Sequence, residues 1–283
     1  MNKPTNYRSD AHVVWCPGCG HFGVMGALGK ALKELAVPKE NIAMISGIGC
    51  SSRIPGYFDV YGFNTVHGRA LPIAQGVKLA RPELTVIAAC GDGDGLAIGA
   101  GHFMHAGRRN VDMTMILMDN QVYGLTKGQA SPTTPKGDRM KLAVYGVPEP
   151  PLQPISLAIT LGATFVARGF SGDPKQLKKL LVAAIQHRGF SVVQVLTPCV
   201  TFRKKWDPFK TIREKRTELP EDYDPTAKYR AMELSEREDA LHLGVFYQVT
   251  DEPTFGDGQN RIADVASQGD LPRVDAVLND FIQ

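Results

Sequence analysis

The stretch AACGDGDGLAIGAGH, Ala88–His102, sets Gly91, Asp92, Gly93, Asp94 and Gly95 in one turn directly after an apolar run. A glycine-rich turn between strand and helix is where a backbone approaches phosphate. Two carboxylates beside a phosphate would repel it, so a cation must stand between them. The flanks show where that cation sits. LTVIAAC reads as a strand, GLAIGAGHFMHAGRR as a helix and VDMTMILMDN as a second strand. That succession is a βαβ unit with parallel strands and a right-handed crossover. Ligands of such sheets bind beyond the carboxyl ends of the strands. Asp92 follows the first strand and Asn120 ends the second, so both emerge at one edge. An Asp and an Asn are hard oxygen donors suited to Mg2+, which shares phosphate oxygens. Mg2+ is then the charge between Asp92 and a diphosphate, with Gly93 and the following helix offering N–H groups to the phosphates.

Working outward, Phe22–Val37 has apolar residues at helical spacing, and NIAMISGIGC reads as a buried strand running into a glycine turn. TVHGRALPIAQGVKLARPE is a loop entering a helix, with Pro72 near its first turn. After Asn120 comes a long proline-rich loop ending in VPEPPLQP, of the kind that usually carries function. PISLAITLGATFVARGF opens a further unit, with a helix from PKQLKKLLVAAIQHRGF and a strand from SVVQVLTPC. From Val200 the chain turns polar, and RKKWDPFKTIREKRTELP reads as an extended basic arm. Leu241–Val249 and Val274–Ile282 are short elements of undecided type. The expected organisation is an α/β domain over residues 1–200 and a C-terminal extension over 201–283.

The net charge of +3 gives no reason to expect nucleic acid or an anionic membrane as partner. The longest apolar runs are far too short to span a bilayer, and no secretion signal precedes the first helix. Five cysteines, an odd number, argue against a disulfide framework, so a cytoplasmic chain is expected.

WCPGCGH supplies Cys16 and Cys19 in a CxxC, while Cys50 in GIGCSSR and Cys199 in TPCV each follow an apparent strand. Cys90 belongs to an apolar strand and reads as a packed core residue. A CxxC alone is open between zinc, a redox disulfide and an iron–sulfur cluster. Gly18–Gly23 also fits G-x-G-x-x-G, but without a proper preceding strand it is a poor dinucleotide site.

GDG followed at this distance by Asn resembles the thiamin diphosphate motif. WCPGCGH, GIGCSSR, TVHGRALPIAQGVKLARPE, GDGDGLAIGAGHFMHAGRRNVDMT and MDNQVYGLTKGQASPT, taken in order, resemble the β subunit of a 2-oxoacid:ferredoxin oxidoreductase, most of all the 2-oxoglutarate type. The resemblance runs through about residues 10–200. It implies a three-layer parallel-sheet thiamin diphosphate-binding fold. It implies Mg2+ on Asp92, Asn120 and the Val122 carbonyl, and a 4Fe–4S cluster on Cys16, Cys19, Cys50 and Cys199. Ile48, Gly49, Cys50, Ser51, His67, Gly91, Gly93, Asp94, Gly124 and Leu125 are the residues expected at the thiamin cofactor.

The implied reaction is CoA-dependent oxidative decarboxylation of a 2-oxoacid to CO2 and acyl-CoA, or its reverse, with electrons passed to ferredoxin. Thiamin enzymes also need a Glu on the pyrimidine side, and no Glu here sits in a convincing context. An α subunit is therefore expected to supply it, in an (αβ)2 assembly, and no catalytic residue is assigned to this chain. Arg53 and Lys127 are candidates for the distal carboxylate of 2-oxoglutarate, because both lie in loops at the cofactor edge. His102 and His105 read as packing or surface residues, and the basic arm as a dock for an acidic ferredoxin. The competing readings are a non-redox thiamin lyase or carboligase with structural zinc, and an electron carrier with a relict cofactor fold.

Overall fold

The computed structural model describes residues 6–203 and 208–268. Its framework is an eight-stranded sheet. Along the chain come α1 (His21–Leu35), β1 (Ile42–Ser46), β2 (Tyr61–Asn64), α2 (Ala70–Ala80), β3 (Thr85–Gly91), α3 (Ala100–Arg109) and β4 (Met113–Asp119). Then follow α4 (Pro154–Thr160), β5 (Phe165–Phe170), α5 (Pro174–Gln186), β6 (Phe190–Leu196), α6 (Pro208–Lys215), β7 (Arg216–Glu218), α7 (Lys228–Ser235), β8 (Leu241–Gln248) and α8 (Phe255–Gln268).

The strand order is β2-β1-β3-β4-β6-β5-β8-β7. Strands β1 to β6 are mutually parallel, β8 runs antiparallel to β5, and β7 runs parallel to β8. The central strands are buried from end to end, as parallel strands covered on both faces must be. Alternation of side chains sorts them into two cores. Val86, Ala88 and Cys90 of β3 join Met113, Met115 and Leu117 of β4 beneath α2, α3, α4 and α7. Ile87, Ala89, Ile116 and Met118 face the other way, toward α1 and α5. The result is the three-layer α/β arrangement expected, with Cys90 packed in the core.

Several expectations need correction. The helix expected after the GDGD turn is broken: Asp94–Ile98 form a π-helical turn, and α3 begins only at Ala100. Single π turns of this kind collect at functional sites. The segment after Val200 is not simply extended. It gives α6, then β7 and β8, and β8 closes the sheet against β5. Strand β2 went unread because all four residues are exposed at the sheet edge, leaving no burial pattern. Lys204, Lys205 and Val274–Ile282 lie outside the described residues. Among the described residues, no helix is long and apolar enough to cross a membrane.

Candidate active site

Because β1, β3, β4 and β6 are parallel, their carboxyl ends deliver four turns to one edge. These carry Gly47–Cys50, Asp92–Asp94, Asn120–Leu125 and Cys199. A cavity of about 260 Å³ opens there. Its wall holds Ile48, Gly49, Cys50, Ser51, His67, Gly91, Gly93, Asp94, Gly124 and Leu125, together with Asp92, Asn120 and Val122. Every residue assigned above to thiamin or Mg2+ is therefore on one surface, with Tyr123 and Thr126 as additions.

Asp92 is 2% exposed, and its Oδ2 accepts from the hydroxyls of Ser131 and Thr133. The Thr133 hydroxyl also lies 2.7 Å from Oδ1 of Asp119, itself buried. One hydroxyl proton cannot serve two carboxylates at once. Burial, then the neighbouring Asp119 charge, pushes the Asp92 carboxyl up to about 7. A divalent cation at Asp92 would offset both effects, and Asn120 stands on the same wall, its Oδ1 accepting from the Val122 N–H at 3.1 Å. Gly93 is required: a Cβ there would fall 2.1 Å from the Tyr123 ring, whose hydroxyl donates to the Gly93 carbonyl at 3.2 Å.

Asp94 organises the cavity. Its Oδ1 accepts from the backbone N–H of Ile48 (3.0 Å) and of Gly68 (2.7 Å), and lies 2.9 Å from Nδ1 of His67. Its Oδ2 is buried with no hydrogen-bond partner among the described residues, an acceptor left over beside the cavity. The turns after β1 and before α2 are thus held to the GDGD turn by one carboxylate.

Behind Asp119 runs a buried polar chain that sequence reasoning missed. Gln194 on β6 donates through Nε2 to Asp119 Oδ2 at 2.7 Å and accepts from Arg168 Nε at 2.8 Å. Arg168, on β5 and 5% exposed, also donates to the Ser235 carbonyl at 3.1 Å and lies over the Phe246 ring. Burial lowers its guanidinium to about 10, still protonated at neutral pH. The signal was a lone arginine inside the apolar strand FVARGF. Ser131 and Thr133 were also missed, inside the long loop already suspected of function.

A second cavity of about 250 Å³ adjoins the first. Cys16, Cys19, Cys50 and Cys199 all line it, and Cys50, Asn120, Gly124 and Leu125 line both cavities. Burial pushes the Cys19 thiol up to about 12, with the other three cysteines adding to the shift, and raises Cys50 as well. Such thiols become thiolates only on strongly cationic iron or zinc. Gly20 lets the CxxC turn press on the Cys199 loop, because a Cβ there would lie 2.8 Å from Thr197 Cα. Its N–H donates to the Pro198 carbonyl at 3.1 Å. A single zinc needs four sulfurs about 3.8 Å apart at Zn–S bonds of about 2.3 Å. Among the described residues, no three His, Cys, Asp or Glu side chains close on one point in that way.

Arg53 and Lys127, the expected carboxylate binders, line the cysteine cavity and are absent from the wall of the other. Both are exposed, and both draw the Cys50 thiol down, against its burial. Lys127 has a left-handed backbone, φ 80°. His102 and His105 lie on α3, outside both cavities.

Residues 47–195 match the family model for the C-terminal binding domain of thiamine pyrophosphate enzymes, and residues 199–264 that for the C-terminal part of the pyruvate ferredoxin oxidoreductase β subunit. The β subunit of a 2-oxoacid:ferredoxin oxidoreductase from Sulfolobus sp. is 47% identical over 261 residues, 85% of this chain and 83% of that one. The 2-oxoglutarate synthase subunit KorB of Methanocaldococcus jannaschii is 42% identical over 73% of this chain and 79% of its own. A solved 2-oxoglutarate:ferredoxin oxidoreductase from Magnetococcus marinus, with 2-oxoglutarate, coenzyme A and succinyl-CoA bound, aligns with a TM-score of 0.91. It is 40% identical and covers 98% of this chain and 95% of that one. The non-redox lyase with structural zinc is not favoured by these relatives. With its two family models and relatives matched over most of their length, the chain belongs to the β subunits of the 2-oxoacid:ferredoxin oxidoreductases.

Proposed function

We propose that the chain works as the β subunit of a 2-oxoglutarate:ferredoxin oxidoreductase, interconverting 2-oxoglutarate plus CoA with succinyl-CoA, CO2 and reduced ferredoxin. One observation carries the reading: the thiamin and Mg2+ residues line one cavity, and all four cluster cysteines line its neighbour across Cys50. Asp92, Asn120 and the Val122 carbonyl would hold Mg2+ against the diphosphate. Ile48 to Ser51, His67, Gly91, Gly93, Asp94, Gly124 and Leu125 would frame the cofactor, and Cys16, Cys19, Cys50 and Cys199 the 4Fe–4S cluster. Bound there, thiamin diphosphate supplies the electron sink for decarboxylation and the cluster its one-electron outlet. The chain itself would orient the cofactor, buries the Asp92 carboxylate and sets the cysteine cavity against the cofactor cavity.

Among the described residues, no Glu lines either cavity. An α subunit is the proposed source of the pyrimidine-side acid, in an (αβ)2 assembly. Five free cysteines fit a reducing cytoplasm. Anaerobic turnover of the assembled enzyme tests the reading. Rapid, CoA-dependent reduction of ferredoxin by 2-oxoglutarate supports it, and preference for pyruvate overturns the substrate assignment.

Arg53 and Lys127 line the cysteine cavity, which shares Cys50, Asn120, Gly124 and Leu125 with the other, and from there would meet the distal carboxylate of 2-oxoglutarate. Arg53→Ala or Lys127→Ala should raise KM for 2-oxoglutarate about tenfold or more, the worth of one charge-assisted contact, with less effect on pyruvate. Equal effects on both substrates would instead assign the two cations to Cys50, whose thiol they already lower.

The basic arm is the proposed ferredoxin dock. Lys215, at the end of α6, shares a third cavity with Cys199. The double variant Arg213→Glu with Lys215→Glu should cut ferredoxin-linked turnover several-fold at low ionic strength and spare viologen-linked turnover. Equal loss with both acceptors would remove the arm from docking.

A further inference from the structure

The WCPGCGH motif holds two residues that the cluster assignment leaves unused, Trp15 and His21. His21 is the first residue of α1 and 1% exposed. Its Nδ1 lies 2.9 Å from the Cys19 sulfur, while its buried Nε2 has no hydrogen-bond partner among the described residues. The Trp15 ring tilts over the imidazole at a centroid distance of 5.3 Å, and its Nε1 donates to the Cys50 carbonyl at 2.7 Å. Tyr57 also meets the Trp15 ring edge-on, at a centroid distance of 4.8 Å. The imidazole is thus fixed by packing, with one nitrogen on sulfur and the other on nothing.

That asymmetry settles the tautomer. A ligating thiolate accepts hydrogen bonds and has no proton to give, so Nδ1 must carry the hydrogen. Nε2 is left as a bare acceptor, since an imidazolium would bury a charge with an unpaired N–H. Packing alone would explain a buried ring, but not a ring nitrogen at hydrogen-bonding distance from a cluster cysteine.

We propose that His21 is a positioning residue for the cluster: its Nδ1–H donates to the Cys19 thiolate and raises the cluster's reduction potential. An N–H···S bond strengthens as the sulfurs gain charge, so it favours the reduced form. Electron transfer out of the thiamin cavity is eased by the same bond. This inference rests on the cluster reading above.

The test is an EPR-monitored redox titration of the assembled holoenzyme with His21→Phe and His21→Asn, alongside iron and sulfide analysis. His21→Phe keeps the ring volume and loses the donor, so its midpoint should move to lower potential with iron retained. His21→Asn places an amide N–H near the old Nδ1 and should restore most of the shift. The backbone N–H of His21 also bonds the Cys19 sulfur, so pulsed EPR of reduced wild-type enzyme carrying histidine 15N-labelled only in its ring reads the proposed contact without substitution, and is decisive if the variants fail to assemble a cluster. A nitrogen coupling to the cluster supports the bond. A wild-type potential in His21→Phe, an equal shift in both variants, or no nitrogen coupling overturns it. Wild-type enzyme without iron and sulfide would overturn the cluster reading itself, a separate outcome.

Discussion

Asp92→Asn is expected to lower turnover of the assembled enzyme by more than about a hundredfold, beyond what loss of an outer-shell partner of a metal costs. Binding of Mg2+ and thiamin diphosphate, followed by calorimetry, should be lost with it. The cofactor-free chain should respond in the opposite sense. Its Asp92 is buried and held up to about 7, against an ordinary value of 3.8. An acid raised on folding opposes the fold fully above its folded pKa, and the opposition fades as pH falls from about 7 toward 4. Asparagine has no such charge, so the variant should melt higher than wild type at pH 8, with a gap that shrinks by pH 5. A variant less stable at pH 8 would mean that Asp92 is placed for structure instead of for a cation.

The second large effect concerns Arg168. Substitution by Met should destabilise the chain by about 3–5 kcal/mol, the usual cost of stranding one partner of a buried charged network. The strand would keep its volume, but Asp119 would lose its counter-charge, and Gln194 and the Ser235 carbonyl would lose their donor. Replacing Asp119 by Asn in the same chain should recover more than half of the loss. Denaturant unfolding of the single and double variants measures both values. A double variant no more stable than Arg168→Met would show that the arginine serves local packing on Phe246, and not the metal-side carboxylate.

These two residues mark what sequence can and cannot show. Asp92 was legible because its chemistry is local: an apolar strand, a glycine turn, and an Asn ending the next strand. A parallel sheet then brings those ends together with no further information. The cysteines were legible for the same reason, since Cys50 and Cys199 each follow a strand and only the sheet edge can collect them. Arg168 acts through strand pairing across β5 and β6 and through the α7–β8 segment, partners that no spacing reveals. Strand β8 was legible only as a short element of undecided type, because its pairing with β5 is antiparallel and distant in sequence. His21 stood in plain view beside Cys19, yet its meaning lies in a ring orientation fixed by Trp15.

The central claim is that a thiamin cavity and an iron–sulfur cluster share the wall at Cys50. Iron, acid-labile sulfide and zinc content of the anaerobically purified complex tests it most directly. About four irons and four sulfides per β chain, with negligible zinc, is the predicted result. One zinc and no sulfide would contradict it, leaving a thiamin site with no route for electrons.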